Sequence, residues 1–422
     1  MLSQPRYRII KHLCAVSIVM WLTAGVHGTA RVEVPDPSIM LPLVPAAAEA
    51  NAPPIIKPGT RLTYFGMTAS IPGEYGKLVQ DENGAWIDKR TGTRYREEDV
   101  EAGGSAAFNV LSMGHVGVGV VVLSTKIYGL DTATKKCSFA VGGGLVGHAG
   151  CAADYWIHPA VLQRVQEVNT EGLRILRMPY TIGGKTYKTI RFQRDDLSGY
   201  QARVYDLETG LLVYHGSRVQ GPSVITPPVG KSGPAGLGEG SSQVITGWIV
   251  EVKDIDVPWK EAPAPPWIEG FRQLSFQGVQ TSVVAVAGTK LDRTLVGTLT
   301  PKARGPGWVR FTNRYVFEGI PGMRPDEAVQ EGACGRATIA GLWIAPEALT
   351  KLRPGQVIER NDLVGTTVTV SAVIHNTVTV TETGPLHQVD NTYDARTGML
   401  SAITLTQQIG LAKITHSLRR VD

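Results

Sequence analysis

The chain has 422 residues, 43% of them hydrophobic and 19% charged, with 48 glycines and 26 prolines. That length supports two or three domains with sizeable cores, and the low charge with many turn formers favours β structure over a helical bundle. The formal charge of +5 falls to +2 once residues 1–28 are set aside, and no long basic run remains, so nucleic acid is not an expected partner.

The N-terminus reads as an export signal. Arg6, Arg8 and Lys11 precede the apolar run Leu13–Val26, which is short for a bilayer span and ends in small residues. Cleavage after Gly28 or Ala30 fits, with an uncleaved anchor as the alternative. Cys14 lies within the run but lacks the residues expected before a lipidated cysteine. The protein is therefore expected to be exported: periplasmic, on the cell surface or secreted. Residues 29–56 are rich in Pro and Ala and read as a flexible leader.

A first β-rich domain is expected over residues 57–258. In "VGVGVVVLSTKIY" Gly117 and Gly119 alternate with valines, as in a strand that curls or admits something close to its backbone. The stretch "CSFAVGGGLVGHAGC" places Cys137 and Cys151 at the ends of a glycine-rich loop, which they can close as a disulfide in an oxidising compartment. Cys334 is then odd and expected in a core. His148 beside Cys151 is too thin a pattern for zinc, and no metal set is expected.

The phrase "DYWIHPAVLQRV" at Asp154–Val165 returns as "GLWIAPEALTKL" at Gly341–Leu352. Pro159 and Pro346 suit the first position of a short helix. Ile157 and Leu162, like Ile344 and Leu349, then have the spacing of a hydrophobic staple. Trp156 and Trp343 are expected to lie against a sheet. Trp156, Leu162, Trp343 and Leu349 are thus the candidates either to line a ligand groove or to fill a core. The offset of 187 residues also aligns Thr125 and Tyr128 with Thr312 and Tyr315. "YDLETGLL" from Tyr205 returns as "YDARTGML" from Tyr393, reading as strand, tight turn, strand. Two long copies mean two homologous domains rather than a solenoid.

A Gly/Pro-rich insertion at residues 221–242 is expected as a surface loop. A Pro-rich linker, 259–267, is expected to be extended, and a second β-rich domain follows at 268–422. There, "TVTVSAVIHNTVTVTE" puts Val368, Val370, Ala372, Ile374, Val378 and Val380 on one parity, as in a long strand or a hairpin bending near His375. The fold class expected is mainly β with short helices: two homologous domains, each a curved antiparallel sheet or half-barrel with a short covering helix.

No nucleophile elbow, phosphate-binding loop, zinc-protease or calcium-loop motif is present, so no catalytic residue and no cofactor is expected. His387 and Asp390 are near enough in sequence to meet and give a hydrolase alternative. Export, antiparallel strands and the Y-D-x-x-T-G-x-L hairpins at Tyr205–Leu212 and Tyr393–Leu400 resemble the LolA/LppX-like half-barrel lipid-carrier superfamily, here in tandem. That resemblance implies noncovalent binding of a lipid or other apolar small molecule between sheet and helix. The leading expectation is an exported, non-enzymatic carrier. A structural or surface-interaction protein with an envelope protein partner is the alternative.

Overall fold

The computed structural model describes residues 50–421, apart from 73–77, 81–85, 89–93, 96–104, 132, 153–154, 197–198, 221–222, 225–236, 239–240, 285–287 and 319–324. The export segment, most of the leader and most of the 221–242 insertion lie outside the described residues.

The first half is a ten-stranded sheet: β1 (Thr60–Pro72), β2 (Ser105–Gly117), β3 (Val120–Asp131), β4 (Lys136–Gly147), β5 (Val168–Thr170), β6 (Leu173–Ile182), β7 (Lys185–Asp196), β8 (Gly199–Asp206), β9 (Leu212–Gln220) and β10 (Ser241–Asp254). The second half repeats it: β11 (Leu274–Val284), β12 (Thr289–Gly305), β13 (Trp308–Glu318), β14 (Asp326–Gly335), β15 (Val357–Asn361), β16 (Thr366–Ile374), β17 (Thr377–Thr383), β18 (His387–Asp394), β19 (Leu400–Ile409) and β20 (Ala412–Val421). The orders are β5-β6-β7-β8-β9-β10-β1-β2-β3-β4 and β14-β13-β12-β11-β20-β19-β18-β17-β16-β15. Each strand of one half therefore has its counterpart ten strands on. Pairing is antiparallel throughout, and the last strand of each half closes on its first.

Each sheet curls around its own core. Leu62, Leu111, Val121, Ile175, Ile190, Val204, Leu212 and Ile249 come from eight different strands yet belong to one buried cluster. The open side, between the fourth and fifth strands of each half, is crossed by a single helical turn, α1 (Pro159–Leu162) or α3 (Pro346–Leu349). Proline sits at the start of both, and Ile157, Leu162, Ile344 and Leu349 are fully buried on either side of the cap, as the staple requires. His158, which has no counterpart histidine, caps α1 by accepting the Ala160 N–H at 3.2 Å.

The two repeated phrases meet. The Ile157 N–H donates to the Gly210 carbonyl at 2.9 Å, and Ile344 to Gly398 at 3.0 Å. In return Leu212 and Leu400 donate to the carbonyls of Tyr155 and Leu342. Gly210 and Gly398 have φ of 76° and 72°, and a Cβ on either would collide with the isoleucine carbonyl. Asp206 and Asp394 hold the turn by accepting the N–H groups of Thr209 and Thr397 at 3.0 and 3.1 Å.

Several expectations change. Gly117 and Gly119 flank the tip of the β2–β3 hairpin, where Val118 is 97% exposed, so they end strands rather than curl one. The Thr366–Thr383 stretch is a hairpin turning at His375 (φ 52°). A register shift between Val370 and Ala372 breaks its parity, leaving Ile374 59% exposed. The region expected as an extended linker is packed instead. Val257, Trp259 and Ile268 are buried in the second core, and one helical turn, α2 (Trp267–Gly270), anchors the Trp267 indole to the Thr397 carbonyl at 2.9 Å. Cys137 and Cys151 do not bond to each other. Strand β4 runs between them, and its twelve residues at roughly 3.3 Å each hold the thiols tens of ångströms apart.

Strand pairing also corrects the repeat register. Leu111 pairs with Thr125, and its counterpart Leu299 pairs with Asn313. The equivalents within β3 and β13 are therefore Thr125 with Asn313 and Ile127 with Tyr315, an offset of 188. A one-residue slip exchanges the faces of a strand. Tyr128 accordingly leaves the first core for the second half, whereas Tyr315 packs against its own.

Candidate binding site between the halves

The seam is built on close backbone approach and buried charge. A Cβ at Gly144 in β4 would collide with the backbone of Ala333 in β14. The Ala337 N–H donates to the Gly114 carbonyl at 2.7 Å, and the Gln330 amide donates to the Gly142 carbonyl. Lys126 and Tyr128 take the alternate positions of β3 from the core residues Val121 and Leu123, so they reach into the second half. There both bond the Glu382 carboxylate, the tyrosine at 2.7 Å, and His387 Nε2 lies 3.1 Å from the same group. Glu382 is 3% exposed. Burial works to raise its pKa, but Lys126 and the hydrogen bonds of His387 and Tyr128 outweigh that and hold it well below the usual carboxylate range. Nearby, the fully buried Arg61 bridges Glu251 of the first half and Glu359 of the second.

Beside this network lies a cavity of about 210 Å³. The first half supplies one wall, with Thr125, Lys126, Phe139 and Gly142. The second supplies the interior of its barrel, with Phe276, Gly297, Leu299, Phe311, Tyr315, Leu342, Leu400, Ile403 and Leu418. Asn313, Gln330, Glu331 and Asn391 add polar groups. The first half shows why the space is there. Tyr155, Asn109 and Tyr64 occupy the positions of Leu342, Gly297 and Phe276. Asn109 donates to the Tyr155 hydroxyl at 2.9 Å, and the Tyr64 and Tyr155 rings lie 5.4 Å apart. Losing a phenol and an amide at matched positions leaves room that the second half keeps as a cavity.

The four residues proposed from sequence are core residues. Trp156, Leu162, Trp343 and Leu349 are at most 2% exposed, and none lines the cavity. The Trp156 indole donates to the Ala149 carbonyl at 2.8 Å. Cys334 does line the cavity, but burial pushes its thiol up to about 12, so it is no nucleophile at neutral pH. His387 and Asp390 do not converge. Three residues apart on β18, they face opposite sides of the sheet. His387 bonds Glu382, while Asp390 accepts from Thr381 at 2.7 Å and from Gln388 at 3.1 Å. The hydrolase alternative therefore has no catalytic pair. The cavity residues Gly297, Leu342 and Asn391 were not singled out from the sequence. The signal that finds them is a comparison of the two copies in the correct register.

Among the described residues, no group of three or more His, Cys, Asp or Glu side chains could hold a metal ion. No helix there is long and apolar enough to cross a membrane. These features define a duplicated antiparallel half-barrel protein with a cavity at the seam. No protein-family model and no curated protein matches the chain. Among solved structures it is similar to a double mutant of the vaccine antigen transferrin binding protein B from Haemophilus parasuis Hp5, at 9% identity and a TM-score of 0.14, over 88% of this chain and 78% of that one. A protein of unknown function from the DUF3598 family of Nostoc punctiforme gives 10% and 0.13, over 86% and 96%. Transferrin binding protein B from serogroup B Neisseria meningitidis gives 9% and 0.12, over 88% and 78%. Superpositions at such scores transfer no role to this chain, and its function is read from its own geometry.

Proposed function

We propose that the chain is an exported, non-enzymatic binding protein that holds a small apolar molecule in the seam cavity. The cavity carries this reading: its walls are mainly aromatic and aliphatic, and it opens beside a fixed ion network rather than a reactive pair. Apolar walls with a few polar groups are the usual form of a small-molecule site. At about 210 Å³ the space exceeds the ~150 Å³ that admits benzene in an apolar core. It suits a short chain or ring rather than the several acyl chains of a lipoprotein. Each buried methylene would contribute about 0.8 kcal/mol. The resemblance to half-barrel lipid carriers points to the same class of ligand, narrowed by the size of the space.

The test is native mass spectrometry of the mature protein with a series of six- to twelve-carbon n-alkanols and with a total lipid extract. Saturable one-to-one uptake is expected. The double variant Leu342→Tyr/Gly297→Asn installs the first half's own filling residues, and its affinity should fall at least tenfold while the fold is kept. No uptake from either source, or uptake that the double variant leaves unchanged, overturns the proposal.

A further inference from the structure

One group on the cavity wall is out of keeping with its surroundings. Asn391 lies on β18 between Val380 of β17 and Ile403 of β19, on the inward face. It lines the cavity and is 4% exposed. Its side-chain Nδ2 has no hydrogen-bond partner. Buried amide donors are almost always partnered, so a donor left over at a cavity wall marks where something else completes the bond. The equivalent residue of the first half, Arg203, finds the Ala202 carbonyl at 3.0 Å within its own half. Asn391 is thus the polar position of the repeat that has been turned toward a cavity.

We propose that the bound molecule is a neutral apolar compound carrying one hydrogen-bond-accepting oxygen, a ketone, ester or alcohol, and that Asn391 donates to that oxygen. This rests on the seam cavity being a binding site, and it adds what the site selects. The apolar body lies against Phe276, Leu299 and Phe311, and the oxygen faces Asn391. Neutrality follows from the charges nearby. Lys126 is engaged by Glu382, and Glu331 is engaged by Arg310 at 3.1 Å. Neither cation is left to balance a carboxylate on the ligand. Asn391 is a specificity residue here, since a purely apolar body gains nothing from an amide donor.

The experiment compares two probes of the same shape, 2-octanone and 2-methyl-1-octene, in which a methylene replaces the oxygen. Their dissociation constants are measured by native mass spectrometry against the wild-type protein and Asn391→Leu. The quantity read is the ratio of the two constants in each protein, which removes the difference in water solubility. The ratio should move against the ketone by about fivefold in the variant, the size of one hydrogen bond. The variant's thermal midpoint should equal or exceed that of the wild type, because an unpartnered donor has been removed. An unchanged ratio means that water satisfies Asn391 and overturns the inference while leaving the binding site in place. A midpoint several degrees lower means that the amide has a structural partner and also overturns it. If neither probe binds the wild-type protein, the proposed function fails, and this inference with it.

Discussion

His416 and His215 sit inside the two barrels, and burial lowers both pKa values from 6.5, to about 4 for His416 and about 3 for His215, where Arg203 adds to the effect. His416 bonds Gln280 at 2.9 Å and meets the Phe317 ring at 6.1 Å. A depressed histidine pKa means that the unfolded chain takes up a proton the folded chain refuses. Stability is therefore complete above about pH 6.5 and falls as the pH drops toward 4, by up to about 1.4 kcal/mol per pH unit for each group. The thermal midpoint should decline over that window, and His416→Leu should flatten the decline. A midpoint that is level between pH 6.5 and 4 in the wild type would contradict this account. The residue scale is also where the sequence was least legible. The cavity depends on Gly297 and Leu342 standing where the first half has Asn109 and Tyr155. Reading the change from Asn109 to Gly297 requires the 188 register, and the slip at Tyr128 and Tyr315 hides it by exchanging the faces of the strand, whereas Tyr155 and Leu342 already align at 187. Asn391 was equally hidden, because nothing in the string "HQVDNTYD" says which of its polar residues faces inward.

The tryptophan–proline turn and the glycine hairpin form one unit of structure, seen twice. Its parts were legible from the sequence because each rests on local rules: proline at a helix start, a staple at fixed spacing, and glycine where φ is positive. Their meeting was not legible, since no local rule brings Ile157 to Gly210 across fifty residues. The lock makes a prediction. Gly210→Ala forces a side chain against the Ile157 carbonyl and into a left-handed backbone, and should destabilise the first half by well over 1 kcal/mol. Gly398→Ala should do the same to the second half. Asp206→Ala, which removes the turn hydrogen bonds of a buried carboxylate, should cost about 1 kcal/mol. Urea titration of the three variants separates these effects, and equal losses for Gly210→Ala and Asp206→Ala would show that the backbone contact adds nothing.

At the scale of the molecule the halves differ in kind despite their shared topology. The two-domain β organisation followed from the repeat. The packed seam did not, because Lys126, Glu382 and Arg61 are ordinary charged residues in sequence, and only the docked halves bring Lys126 to Glu382 and Arg61 to Glu359. Glu382 has a depressed pKa, so its contribution is present at neutral pH and is lost as the pH falls into the strongly acidic range. Lys126→Met leaves the buried carboxylate without its cation and should cost about 3 kcal/mol. It should also split the calorimetric unfolding into two transitions, one per half. The double variant Lys126→Met/Glu382→Gln should recover much of that loss. A single unchanged transition in Lys126→Met would mean that the ion pair does not couple the halves.

The packing of β4 against β14 has a consequence in time. A ribosome delivers the first half before the second, and domains fold largely as units in that order. The surface that covers the mouth of the later barrel therefore exists before that barrel does. The older half is in that sense a template on which the younger one finishes folding. Swapping the order of the two copies in the gene would leave the sequence of each intact and remove that advantage.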